Sequence, residues 1–194
     1  MLLDLLQVGE PILREKSRAL SHEEIASERI QQLIRSMRET LHAAPGVGLA
    51  APQIGEGIQL AIVEDLAEYM TEVPLEDLAI RERRPVPFHI IINPCITSLG
   101  KENVEFFEGC LSLEGFMAVV PRAREITIEC LDEHSKKRTI HASGWYSRIL
   151  QHEMDHLNGT MYIDRMHSRT FASVENHERY WKTKAVAETC DRPA

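Results

Sequence analysis

The chain has 194 residues, 43% of them hydrophobic and 27% charged, which suits a packed globular unit and excludes a mostly disordered one. A formal net charge of −8 excludes a broad basic surface, so nucleic acid is not expected as a direct substrate. No run of 18 apolar residues occurs, so no membrane-spanning helix is expected.

The opening residues, MLLDLLQVGEPILREKS, have no basic stretch ahead of an apolar one, and Asp4 and Gln7 interrupt the apolar run. Neither a secretory signal nor an Arg- and Ser-rich transit peptide is read there. The four cysteines, Cys95, Cys110, Cys130 and Cys190, show no close pairing and are expected as reduced thiols. The expected compartment is the cytoplasm of a bacterial-type protein rather than an organelle.

Ser21 and Glu24 have capping-box spacing, and Ile30, Leu33, Ile34, Met37 and Leu41 follow on one helical face. The pattern predicts a core-packing helix over about 22–43, stopped by Pro45 and Gly46. The segment GVGLAAPQIG (46–55) carries three glycines and a proline, which rule out a regular helix or a long strand. IQLAIV (58–63) reads as a buried strand. The stretch 64–87 is acidic, then basic in RERR (81–84), and reads as an exposed insertion loop with about one helical turn. FHIIIN (88–93) is the next strand, expected to end at Asn93-Pro94.

From 103 to 142 the pattern has period two. In REITIECL, Ile126, Ile128 and Cys130 alternate with Thr127 and Glu129, as in a half-buried antiparallel strand. MAVVP (117–121) and RTIHA (138–142) extend this strand-rich region, and DEHSKK (132–137) suits a hairpin turn. Helical signals return in SGWYSRILQHEMDHLNG, with Gly159 as the stop. Residues 170–187 read as a last helix with a polar surface. A single α+β domain spanning 1–194 is the economical reading.

His152-Glu153-Met154-Asp155-His156 is an H-E-x-x-H motif inside the helix assigned above. Its two imidazoles project from one face and can chelate one cation, while Glu153 is rotated away and can serve as acid–base without being a ligand. Asp155 points to another face. The third ligand is open on this reading. An H-E-x-x-H-x-x-G-x-x-H continuation fails, because position 162 is Tyr. A downstream carboxylate, Glu175 or Glu178, survives on spacing and would make a gluzincin-like endopeptidase. Cys110, in EGCLS, could supply a soft thiolate that leaves a fourth position for water and widens the metal choice from zinc toward Fe(II).

Three segments, GVGLAAPQ (46–53), EGCLS (108–112) and QHEMDHLNG (151–159), resemble in order the three signature motifs of the peptide deformylases. INP (92–94), VPR (120–122) and VGEPILR (8–14) extend the resemblance over most of the chain. It implies an α+β fold with antiparallel sheets packed around the H-E-x-x-H helix. It implies removal of the N-formyl group from formyl-methionyl nascent peptides, with transient association with the ribosome. One divalent metal ion, usually Fe(II) with Zn, Ni or Co as substitutes, would be held by Cys110, His152 and His156. Glu153 would be general base and then acid, and Gln53 with the backbone N–H of Leu111 would hold the oxyanion. Gly48 would bind peptide backbone, and Val47, Phe106 and Ile149 would line the methionine pocket. The chain has Gly115-Phe116-Met117 where many bacterial relatives carry an Arg, and GFMAVVPR looks closer to the organellar branch. Leu111 after the cysteine is similar to bacterial members.

Overall fold

The computed structural model describes residues 2–182 together with Lys184 and Val186. The capping box forms as expected: Ser21 and Glu24 exchange side chain-to-backbone hydrogen bonds at the start of α1 (His22–Ala26). The single helix expected over 22–43 is instead two. Ser27 takes extended backbone (ψ 145°) and its hydroxyl accepts from the N–H of Ile30, so it ends α1 and caps α2 (Glu28–His42). The apolar face read from the sequence is the buried one, with Ile30, Ile34, Met37 and Leu41 all in the core.

The glycine-rich segment makes a short β1 (Gly48–Ala50) followed by a 3₁₀ turn, Ala51–Ile54. After β2 (Leu60–Asp65) the stretch expected as an exposed loop is more ordered than that. It holds a 3₁₀ turn at Ala67–Met70 and a helix, α3 (Leu75–Ile80). Its start is buried and tied to its far end, because Asp65 accepts two hydrogen bonds of 2.9 and 2.8 Å from Arg83, and Glu64 pairs with Arg38 and His42. Buried carboxylates need such partners, and this pairing fixes both ends of the segment.

β3 (Val86–Leu99) does not stop at Asn93-Pro94. A register shift between Ile92 and Cys95 absorbs the proline, while Asn93 (φ 50°) turns its carboxamide onto the backbone of Leu20. β4 (Asn103–Cys110), β5 (Leu113–Ala123), β6 (Glu125–Leu131) and β7 (Lys137–Ser143) follow, then α4 (Gly144–Leu157). Of the helix expected over 170–187, α5 (Val174–Tyr180) forms after the two-residue β8 (Ala172–Ser173). Positions 183, 185 and 187 of that expectation lie outside the described residues, as does Cys190.

The strands make two antiparallel sheets, β1-β2-β3-β6-β7 and β4-β5-β8. α4 packs against both, through β1, β2, β6 and β7 on one side and β5 on the other. Its Leu150, Met154 and Leu157 join Ile91, Ile128 and Ala142 in one core. Gln151 ties it to the end of β5 by accepting from the N–H of Ala123 at 3.1 Å and donating to its carbonyl at 2.8 Å. The helix stops where the sequence places its glycine. Gly159 has φ 69°, and a Cβ there would run into the backbone of Arg14. Gly159→Ala is therefore expected to lower the unfolding free energy by about 1–3 kcal/mol, read from urea denaturation midpoints with unchanged slope.

Candidate metal centre

α4 places His152 and His156 one turn apart with ring centroids 5.0 Å from each other. β4 ends beside them at Cys110, whose Sγ is 3.2 Å from His156 Nε2. One ligand atom from each of Cys110, His152 and His156 lies within 4.8 Å of the others, so the trio could hold a single cation. Among the described residues no other such cluster of His, Cys, Asp and Glu converges. Glu175 and Glu178 are on α5 and take no part in it; Glu178 faces solvent beside Lys182. The endopeptidase spacing is not realised.

Glu108, two residues before Cys110, organises the imidazole. His152 Nδ1 is 3.1 Å from its Oε2, which fixes the ring so that Nε2 is left for the cluster. Arg122 binds the same carboxylate through two hydrogen bonds of 2.9 Å, and Arg148 binds it as well. Burial pushes the Glu108 carboxyl up, but Arg122 and His152 outweigh that and hold it well below the usual carboxylate range. Arg122 continues to Asp155, which also receives Arg165. Asp155 thus faces away from the cluster, as expected from its place on the helix.

Glu153 is 3% exposed, and burial raises its pKa to about 7 before any cation is counted. Its Oε2 is buried without a hydrogen-bond partner, a polar atom that only a bound group or solvent could satisfy. Gly48 makes room for it, since a Cβ there would overlap the Glu153 carboxylate. Burial lowers the His156 pKa well below its ordinary value, which keeps that ring neutral as a ligand must be. His152 moves upward, because Cys110 and Glu108 outweigh its own burial; proton and cation compete for that edge of the cluster.

Gln53 reaches the cluster from the 3₁₀ turn. Its Oε1 accepts from the N–H of Ala50 at 2.9 Å, which orients Nε2 toward Ser112 Oγ (3.2 Å) and Cys110 Sγ (3.5 Å). Leu111 follows Cys110 at the hairpin turn. A cavity of about 840 Å³ opens over these groups, lined among others by Val47, Gly48, Gln53, Leu111, Ile149 and Glu153. Phe106 is not on its wall. Successive strand residues face opposite ways, so Phe107 lines the cavity while Phe106 packs behind it on Trp145 and Arg148.

Several contributors escaped the sequence reading. Glu108 and Arg122 were inside quoted motifs, yet nothing in their spacing shows that they meet. Trp145 and Arg148 read as ordinary helix positions. The hydrogen bonds of Gln7 to the Leu111 carbonyl (3.0 Å) and from the Glu114 N–H (3.3 Å) join residues more than a hundred apart, with no local signal.

Comparison with known proteins agrees with this geometry. The family model described as polypeptide deformylase matches residues 2–172. The chain is 47% identical over 173 residues to the chloroplastic peptide deformylase 1A of Solanum lycopersicum, covering 89% of this chain but 62% of that protein. It is 42% identical over 192 residues to the peptide deformylase of Bifidobacterium adolescentis, covering 96% of this chain and 85% of that one. Among solved structures, the Met-Ala-Ser-bound class I type b peptide deformylase of Acinetobacter baumannii superposes with a TM-score of 0.76 at 28% identity, over 86% of this chain and 99% of that one. On the motifs, the architecture and these matches together, the chain belongs to the polypeptide deformylase family.

Proposed function

We propose that this chain, acting as one catalytic domain, hydrolyses the formamide of N-formyl-methionyl peptides and releases formate. The observation that carries the proposal is the convergence of the Cys110, His152 and His156 ligand atoms beside the buried, unpartnered Glu153 Oε2. The donor set fits a divalent cation, and the thiolate with two imidazoles suits Fe(II) as the resident ion, with Zn, Ni or Co as substitutes. Bound there, such a cation would acidify a water to a pKa of roughly 7 and polarise the formyl carbonyl.

The chain's own residues account for the rest. Glu153 Oε2 takes the proton of the attacking water and returns it to the departing amine. Burial raises the Glu153 carboxyl above its ordinary value, which favours its holding that proton before it passes to the amine. Gln53 Nε2 and the Leu111 N–H donate to the oxygen that becomes negative, and each such donor is worth about 2.7–4 kcal/mol in comparable sites. Val47 and Ile149 offer apolar wall to the methionine side chain, with Phe107 in the role first expected of Phe106. Gly48 lets the peptide backbone approach. Met-Ala-Ser bound to the Acinetobacter relative supports a peptide of this kind as substrate. Newly made chains are the source of formyl-methionine, so the proposal includes transient contact with ribosomes, and free thiols at Cys95, Cys110 and Cys130 favour a reducing compartment such as the cytoplasm.

Anaerobically Fe(II)-loaded protein is expected to release formate from formyl-Met-Ala-Ser; loaded protein that releases none contradicts the reading. Glu153→Ala should keep the cation and lose formate release, whereas Cys110→Ala should lose the cation itself, measured by metal analysis after dialysis. Retention of a full equivalent in Cys110→Ala would favour a carboxylate ligand instead. Gly48→Ala, which displaces the Glu153 carboxylate, should cut kcat/KM on the order of 100-fold with the cation retained. Peroxide should inactivate the Fe(II) form through the ion or the Cys110 thiolate, followed as formate release against time.

A further inference from the structure

We propose that Gln7 is a positioning residue for the reaction: from the N-terminal segment it fixes the turn that follows Cys110 and thereby aims the Leu111 N–H at the oxyanion; this role rests on the deformylase reading above. β4 ends at Cys110 and β5 starts at Leu113, so Leu111 and Ser112 alone make the turn between them. Two-residue hairpin turns prefer central residues of positive φ, which match the twist of the flanking strands. Neither Leu111 nor Ser112 has a positive φ. A turn of this kind splays its strands unless something outside it holds it, and here the N-terminal segment does so.

Gln7 Nε2 donates to the Leu111 carbonyl at 3.0 Å and to that of Leu5 at 3.3 Å, and its Oε1 accepts from the Glu114 N–H at 3.3 Å. The next residue adds a second hold, since the Val8 N–H donates to the Ser112 carbonyl at 2.7 Å. Both carbonyls of the turn are thus taken up by the same segment. The N–H and C=O of a trans peptide point opposite ways. With its carbonyl on Gln7, the Leu111–Ser112 peptide turns its N–H to Cys110 Sγ at 3.4 Å. The Leu111 N–H, on the adjoining peptide, is left little freedom to swing. The segment also reaches the other donor, because the Leu6 N–H donates to the Gln53 carbonyl at 2.8 Å. Residues 6–8 therefore tie together the two turns that carry the oxyanion donors. Gln7 is exposed, and an exposed amide exchanges such bonds for bonds to water at little net cost. What they decide is the direction of the turn, not whether the domain folds.

The test compares Gln7→Ala and Gln7→Glu with the wild type, each metal-loaded, on formyl-Met-Ala-Ser. The Glu side chain keeps an acceptor for the Glu114 N–H but sets an oxygen against the Leu111 carbonyl. Both variants should lower kcat about tenfold with KM within about twofold and the metal equivalent retained, because the interaction lost is one made in the transition state. Amide hydrogen exchange reads the turn apart from turnover: peptides covering 110–115 should exchange about tenfold faster in both variants, and those covering α4 as in the wild type. Unchanged kcat in both variants, or a lower kcat with exchange at 110–115 unchanged, overturns the positioning role while wild-type formate release keeps the deformylase reading standing. Faster exchange in α4 as well would mean a general loosening and also overturns it. No formate from the wild type overturns the deformylase reading itself, and the positioning role with it.

Discussion

Glu108 is the group on which the rest of the structure depends. One buried carboxylate receives Arg122 and Arg148 and orients His152, joining β4, β5 and α4 at a single point. Removing water from a carboxylate and two guanidiniums is costly, and only close pairing offsets it. The arrangement is therefore intolerant of partial loss: deleting one partner of such a buried pair costs about 3–5 kcal/mol, since the others are left uncompensated. The same contacts that hold the smaller sheet to the helix aim the imidazole. Stability and site geometry are one interaction here.

α4 shows the consequence for burial. A helix on the surface of a small domain keeps a polar face in water. This one is enclosed by both sheets, so its polar residues, among them Arg148, Gln151, Glu153, Asp155 and His156, are buried and need partners inside the protein. Nearly all find them in strands of the smaller sheet or at its end. Three atoms on these residues are left without a hydrogen bond, Arg148 Nε, His156 Nδ1 and Glu153 Oε2, and the last is the one oxygen among them, at the place where the chemistry is proposed to occur. A buried carboxylate oxygen without a partner, on a residue that lines the cavity with Cys110 and His152, is the mark expected of a group kept for a ligand.

Much of this was legible from residue patterns. The helical spacing of His152 and His156, the stop at Gly159 and the period-two strands through 142 all depend on local geometry, and the structure has them. The trio of ligand atoms required a sulfur 42 residues away from His152, which spacing could not identify and the motif resemblance could. Each misreading has its own physical reason. Ser27 splits a periodic helix because its hydroxyl offers a better cap than continuation. Pro94 fails to end a strand because a bulge absorbs it. The 64–87 stretch looked solvated because its charges gave no hint that Asp65 and Arg83 would find each other. Phe106 and Phe107 differ only in which way the strand pleats, and that phase is set by tertiary packing, not by the two residues.

The central claim is that one thiolate and two imidazoles meet at a single cation. X-ray absorption at the metal edge of the zinc-loaded protein tests it most directly. One sulfur near 2.3 Å together with two imidazole nitrogens near 2.0–2.1 Å is the result this account predicts. A first shell of nitrogen and oxygen alone, with no sulfur, would contradict it.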